Sequence, residues 1–430
     1  MAITHPWVPI SQPTQETVAR CHDFIDVLKD GVRCSTVSVE DVIDPSIRGA
    51  RITAVLINNH LSFTGTPLTT PTATSPHILI VGGGVTSHIT SWVLLDAGYR
   101  ATILSKEWVS YGKEQRITSQ IAGALWEFPL ALCGQHHDPI SLDHSKRWCM
   151  IAYEVWDHIT SDPDLSTASG VRMKKSAFFF PYNCVDAYEL LAPITDTDKA
   201  MSWLTKLVTD KEAKRISEAI HGDLLDCEDQ LRARFNADVI INTTGLAAQE
   251  LASDSSCYPI RGAVIRVIND GARFPKVDAA LSISADILSE HTSNEIIFIV
   301  PRSDRILLLG GVSEPHKWKL DYTLDLPVIQ RMKERCEKFL PGLEHAELDE
   351  EYPLAQGLRP FRKNNVLLEW ELRPRSRGES LDDEKDGDNT VSRIIRSYGH
   401  RGAGWSLSFG CAGDVLELVK EVLAGVLLDL

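Results

Sequence analysis

The chain has 430 residues and carries 44 Lys and Arg against 59 Asp and Glu, a formal charge of −15. That balance argues against a nucleic-acid binder, which presents a basic face, and against attraction to anionic membranes. With 43% apolar and 24% charged residues, the composition is that of a globular protein long enough for two packed domains, or one with an appendage.

The opening MAITHPWVPISQPTQ has neither a basic start nor an apolar core, so no secretory signal is read there. In TQETVARCHDFIDVLKDG, residues Val18, Cys21, Phe24, Ile25 and Leu28 recur at helical spacing and Gly31 follows as a stop. RITAVLINNHLSF (51–63) suits a strand or a short helix. TGTPLTTPTATSP (64–76), rich in Thr and Pro, reads as a linker and marks the boundary before the main fold.

From His77 the pattern becomes strand, glycine turn, helix, strand: HILIV, then Gly82, Gly83 and Gly84, then an apolar helix stopped by Gly98, then RATILS. Gly82-x-Gly84 with Ser87 three residues on resembles G-x-G-x-x-G/A. The first glycine permits a tight turn, the second admits a pyrophosphate to the backbone, and Ser87 must be small for the helix to pack on the sheet. The helix start at Val85 and Thr86 then offers N–H groups to phosphate. Glu107 is the nearest carboxylate after the second strand. It is expected to hold a ribose, and a solvated surface glutamate is the alternative.

Further along, 237–245 reads as a buried strand closing on a glycine. Segments 262–268, 295–301 and 305–311 read as sheet, the last two as a hairpin. Helices are expected over 326–343 and, at the C-terminus, over 411–428. The acidic stretch 378–390 reads as a solvated loop, since its spacing does not fit an EF-hand. Nine cysteines, at 21, 34, 133, 149, 184, 227, 257, 336 and 411, are odd in number and lack a CxxC pair. They read as reduced, mostly buried thiols, and no metal site is expected. No apolar run approaches the roughly 20 residues of a membrane span. The end, GVLLDL, is not an S-K-L-type peroxisomal address. The cytoplasm is the expected location, with a peroxisomal one left open.

Beyond the glycine turn come TSQIAGALW (118–126), DTDKAMSWL (196–204), ADVIINTTGLAAQEL (237–251), YPIRGAVIRV (258–267), FIVPRSDRILLLGG (298–311), GLRPFR (357–362) and RSYGHRGAGWSLSFGCA (396–412). In this order they resemble the D-amino-acid oxidase family of flavoenzymes over most of 77–428. The resemblance implies noncovalently held FAD and an α/β fold, in which a Rossmann-like FAD-binding domain is interleaved with an antiparallel-sheet substrate domain. The expected division is an N-terminal extension and linker over 1–76, an FAD-binding domain from 77–126, 196–256 and 391–430, and a substrate domain from 127–195 and 257–390.

The same resemblance implies roles for residues. Thr118, Ser119, Gly123, Ala124 and Leu125 lie against the flavin. Thr244 and Gly245 belong to the Asn-x-Thr-Gly segment of the cofactor site. Arg359 clamps a substrate carboxylate through two parallel bonds. Gly402 offers its carbonyl to the substrate amine. Arg401, Ala403, Gly404, Trp405 and Ser406 wrap the flavin. Asn294 and Phe298 stand where the family has two pocket tyrosines, and Phe298 points to a more apolar or aromatic substrate. Glu127 stands where the family often has an uncharged amide. The implied reaction is dehydrogenation of a D-amino acid or related amine by hydride transfer to flavin N5, with oxygen as acceptor, giving an imine or 2-oxo acid, ammonia and hydrogen peroxide. Two alternatives stay open: oxidation of a specialised amine or imino-acid intermediate, and a non-catalytic FAD-binding interaction protein. The partners implied are a small-molecule substrate and oxygen, with a homodimer left open.

Overall fold

The computed structural model of the chain describes residues 33–36, 61–127, 139–179, 186–283, 296–373 and 392–425. The helix expected within 14–31, residues 51–60 of the apolar segment, Asn294 and the acidic loop at 378–390 lie outside them. The strands, in chain order, are β1 (Arg33–Thr36), β2 (His77–Val81), β3 (Arg100–Ser105), β4 (Val171–Phe179), β5 (Asp186–Thr195), β6 (Lys214–Ser217), β7 (Val239–Asn242), β8 (Cys257–Ile268), β9 (Ala280–Ile283), β10 (Ile297–Pro301), β11 (Ile306–Gly310), β12 (Glu314–Pro315), β13 (Leu354–Arg362), β14 (Leu367–Trp370) and β15 (Ile394–Tyr398). The helices are α1 (Val85–Asp96), α2 (Thr118–Ile121), α3 (Pro139–Ser161), α4 (Pro163–Ser169), α5 (Thr197–Asp210), α6 (Leu224–Phe235), α7 (Ala248–Leu251), α8 (Pro327–Phe339) and α9 (Gly404–Ala424).

Two sheets organise these elements. One has the order β14-β15-β7-β2-β3-β6 and is parallel except at β14. Its central strand, HILIV, is buried at every position. That is why it reads as an unbroken apolar run: a parallel strand covered by helices has no solvent face. The other sheet has the order β1-β5-β4-β9-β10-β11-β8-β12, with β13 also paired to β8. It is largely antiparallel but has parallel pairs at β1–β5 and β4–β9, so the expected antiparallel sheet is a mixed one. The hairpin around Arg302 forms as expected, with Phe298 opposite Gly310.

Two pieces fall on the other side of the expected division. The turn after β13 carries the chain into the parallel sheet, where β14 pairs with β15. Helix α3 packs on α9, and Trp156 meets Phe409 at 4.9 Å between ring centroids in an edge contact. The C-terminal helix starts at Gly404, seven residues earlier than expected, because the end of the glycine loop is itself helical.

The Thr/Pro-rich stretch does not behave as a free linker. Leu61 is buried in the core of the parallel-sheet half, and the segment behind it is tied to Asp96 at the end of α1. Asp96 accepts from Ser62 N (2.8 Å), Leu68 N (3.2 Å) and Trp92 Nε1 (2.8 Å). Lys211 Nζ donates to Asp96 Oδ1 at 2.7 Å, and to Thr66 O at 3.2 Å. Both charged side chains are fully buried, and burial lowers the Lys211 ammonium pKa below its ordinary value. Removing one partner of such a pair costs about 3–5 kcal/mol, since the other charge is left uncompensated. Lys211→Met is therefore expected to lower the unfolding free energy by that amount in urea titrations, and to open 61–76 to protease first.

Among the described residues, Cys149, Cys227, Cys257, Cys336 and Cys411 are free thiols. No described helix is long and apolar enough to cross a membrane.

Candidate functional site

A cavity of about 700 Å³ joins the C-terminal edge of the parallel sheet to one face of the mixed sheet. The loops after β2, β3, β6 and β7 all reach it, the position at which open α/β sheets bind ligands. Gly82, Gly84, Val85, Thr86, Glu107, Thr244 and Gly245 lie on this side. From the mixed sheet come Gly262, Phe298 and Arg359. Between them lie Thr118, Ser119, Gly123, Ala124 and Leu125, and the loop of His400, Arg401, Gly402, Gly404 and Trp405.

The glycine turn is built by close backbone approach. Gly82 has φ +132°, and a Cβ there would sit 2.7 Å from Thr243 O. At Gly83 it would sit 2.4 Å from Glu107 O. Ser87 is behind the wall, where its Oγ hydrogen-bonds Thr243 Oγ1 at 2.9 Å and fastens α1 to the end of β7. The third slot of the glycine pattern thus serves packing. Ala403 and Ser406 are likewise buried and absent from the wall.

Two helices open onto the cavity. Neither Gly84 before α1 nor Ala403 before α9 supplies a side-chain cap, and neither first turn holds an acidic residue. Helix N-termini leave backbone N–H groups without helical partners and carry partial positive charge. Two such ends on one cavity suit an anionic, phosphate-bearing ligand. Ser119 links α2 to both helix starts: its Oγ accepts from Val85 N (3.0 Å), and its carbonyl accepts from Trp405 Nε1 (2.9 Å). Thr118 Oγ1 donates to Leu358 O at 3.1 Å, which ties α2 to β13. Glu107 is at the rim with its side chain 71% exposed, 3.7 Å from Lys106 Nζ.

At the mixed-sheet end, the Arg359 guanidinium lies over Gly262, where a Cβ would approach it to 2.7 Å. Its Nη1 donates to Val312 O at 3.2 Å. The Phe298 ring presses on Gly123, where an added Cβ would lie 2.3 Å from the ring, so both residues shape one surface. Glu127 is buried and lines the same cavity. Arg401 has φ +56°, a conformation that glycine adopts without strain and that costs other residues about 1–2 kcal/mol. Its guanidinium turns toward the β13–β14 turn, donating to Arg362 O and Asn364 O.

Behind the wall stands a residue that sequence reading passed over. Arg302, at the hairpin tip, is 2% exposed and donates Nη1 to Ala122 O (2.6 Å) and Nη2 to Gln120 O. It fixes the turn leading to Gly123. Burial lowers its pKa to about 10. The only signal was an arginine inside a hairpin turn, which reads as solvated.

His400 is buried on the wall, and its Nε2 has no hydrogen-bond partner among the described residues. Burial holds its pKa at about 4, and burial does the same to His88, whose Nδ1 donates to Gly84 O at 2.9 Å. Both imidazoles are neutral at pH 7. Because the unfolded chain takes up these protons near pH 6.5 and the folded chain does not until about 4, stability is full above 6.5 and falls as pH drops toward 4. The expected loss is about 1.4 kcal/mol per pH unit for each histidine, read from urea midpoints between pH 7.5 and 4.5. His88→Asn should remove about half of that slope.

These features fit FAD: two helix ends for its phosphates, glycines where backbone must come close, and an orphaned imidazole nitrogen on the wall. The sequence matches the family model described as FAD dependent oxidoreductase over residues 194–418. It is 26% identical over 368 residues to a D-amino-acid oxidase of Streptomyces coelicolor, covering 80% of this chain and 96% of that protein. It is 26% identical over 380 residues to one of Dictyostelium discoideum, covering 82% and 93%. Among solved structures, iminodiacetate oxidase from a Chelativorans species superposes with a TM-score of 0.57 at 13% identity, covering 81% of this chain and 95% of that one. Glycine oxidase from Geobacillus kaustophilus does so with 0.58 at 14%, covering 81% and 95%.

Proposed function

Because the chain belongs to the family of FAD-dependent oxidoreductases, we propose that it dehydrogenates a D-amino acid or a related amine bearing a carboxylate. The observation that carries this reading is Arg359: its guanidinium lines the same cavity as the glycine turn and the start of α9. D-amino-acid oxidases among its relatives support the CH–NH2 donor class.

In this reading Arg359 grips the carboxylate through two parallel N–H···O bonds, and this fixes the α-carbon in the cavity. The Gly402 carbonyl accepts from the substrate amine. Ile121, Val264 and Phe298 exclude water from the reacting carbon. The cofactor, when bound, supplies the acceptor for a hydride. The carbon loses that hydride and the nitrogen a proton, so C–N becomes C=N. Water then converts the imine to a 2-oxo acid and ammonia. Oxygen takes the two electrons and becomes hydrogen peroxide. Thr118, Ser119, Gly123, Ala124, Leu125, Thr244, Gly245 and the wall residues Arg401, Gly404 and Trp405 would hold the cofactor, with Glu107 as the ribose partner.

A second substrate reading, a specialised secondary amine or imino acid, is favoured by Phe298, which brings no hydroxyl to the wall. An anaerobic screen separates the two. The pure protein is expected to be yellow, and its visible absorption should bleach on adding D-amino acids. Bleaching by secondary amines alone supports the second reading. No bleaching by any carboxylated amine overturns both.

A further inference from the structure

Most of the cavity wall near Arg359 is sheet, but one part is a loop. Residues 312–322 run from the end of β11 toward α8. Ser313 and Leu320 line the cavity, while Lys317, Trp318 and Lys319 between them are exposed. One arginine holds this strap. Arg261, in β8, donates Nε and Nη2 to Glu314 Oε2 (3.0 and 2.6 Å) and Nη1 to Lys319 O (2.7 Å), and it pairs with Asp321. Its guanidinium lies 3.9 Å over the Tyr322 ring, and Tyr322 Oη donates to Glu314 Oε2 at 2.6 Å. Gln356 brackets Tyr322 from β13, accepting from its N–H (3.0 Å) and donating to its carbonyl (3.2 Å). At the root of the strap, Val312 O accepts from Arg359 itself. Arg261 has Glu314 of β12 on one flank and Leu358 of β13 on the other, so the strap and Arg359 are secured on the same short stretch of β8.

We infer that this strap is the surface that reads the substrate's side chain, with Leu320 as the specificity-determining contact and Arg261 as the positioning residue. The inference rests on the carboxylate role of Arg359 given above. Once the carboxylate is fixed there, the rest of the molecule must fit between Phe298 and Val264, which are held by sheet hydrogen bonds, and Leu320, which rides on a loop. Leu320 is therefore the part of the wall whose size sets how long a side chain is admitted.

The test uses the FAD-bound full chain and straight-chain carboxylates from acetate to octanoate, with affinity read from perturbation of the visible flavin absorption. In Leu320→Ala, the octanoate-to-acetate affinity ratio is expected to rise about tenfold, because one to two further methylenes find buried space. In Leu320→Phe it should fall by a similar factor. FAD affinity should not change in either. Glu314→Gln, which loosens the latch without touching the cavity wall, should flatten the dependence on chain length. Equal ratios in wild type and both Leu320 variants overturn the inference. If the ratios shift but no amine bleaches the flavin, the strap stands and the proposed reaction fails. If amines react and the ratios do not shift, the reaction stands and the strap fails.

Discussion

Arg359→Ala is expected to lower kcat/KM for a carboxylated amine by at least about a hundredfold while the protein stays yellow. A buried, hydrogen-bonded charge pair that loses one partner costs about 3–5 kcal/mol, and each 1.4 kcal/mol is a factor of ten. The guanidinium is seated over Gly262 and braced by Val312 O, so the site is organised before substrate arrives. Arg359→Lys should recover only part of the loss, since an ammonium is a point charge and cannot match a carboxylate with two parallel bonds. An amine of similar shape without a carboxylate supplies the control: its rate should change little. Equal losses for both compounds would mean that Arg359 supports the wall and does not grip the substrate.

Gly82→Ala should yield a colourless protein whose FAD affinity is reduced by more than about a hundredfold. At φ +132° the backbone is in a region that is costly for any side chain, by about 1–3 kcal/mol. The new methyl would also meet Thr243 O at 2.7 Å, a backbone atom that cannot move without dragging β7. Gly84→Ala supplies the contrast. Its Cβ would come within 3.0 Å of Ser119 Oγ, a side-chain atom that can rotate away, so a milder loss is expected. Far-ultraviolet circular dichroism separates loss of cofactor from loss of fold: the Gly82 variant should keep its helix signal. Bright yellow protein from Gly82→Ala would remove the glycine turn from the cofactor site.

The parts of this molecule that local chemistry dictates were legible. Gly82 and Gly84 announced a turn, Gly82 because its φ of +132° is one that other residue types rarely adopt, and HILIV announced a buried strand. Arg359 was legible only as part of a longer resemblance; nothing in GLRPFR alone says which way a guanidinium points. What escaped depends on pairs far apart in sequence. Asp96 and Lys211 are 115 positions apart, and each alone reads as a surface charge. Their pairing is what draws in 62–68, a stretch whose Thr and Pro content spoke only for the absence of regular structure. Arg302 and the Arg261 latch were missed for the same reason. A buried arginine is betrayed by its partners, and those partners are backbone carbonyls and acids on other elements.

The order of strands in the parallel sheet bears on how the molecule is made. Its middle is β2, near the start of the described fold, yet β7 beside it and β15 beyond come from residues 239–242 and 394–398. Helix α9, whose first turn closes the crevice, follows at Gly404. During synthesis, the growing chain therefore holds an exposed edge at β7 until residues 394–398 have left the ribosome. Such late, distant pairing slows folding and leaves an open strand for other chains to meet. The crevice is therefore complete for a coenzyme only once the start of α9 has been made.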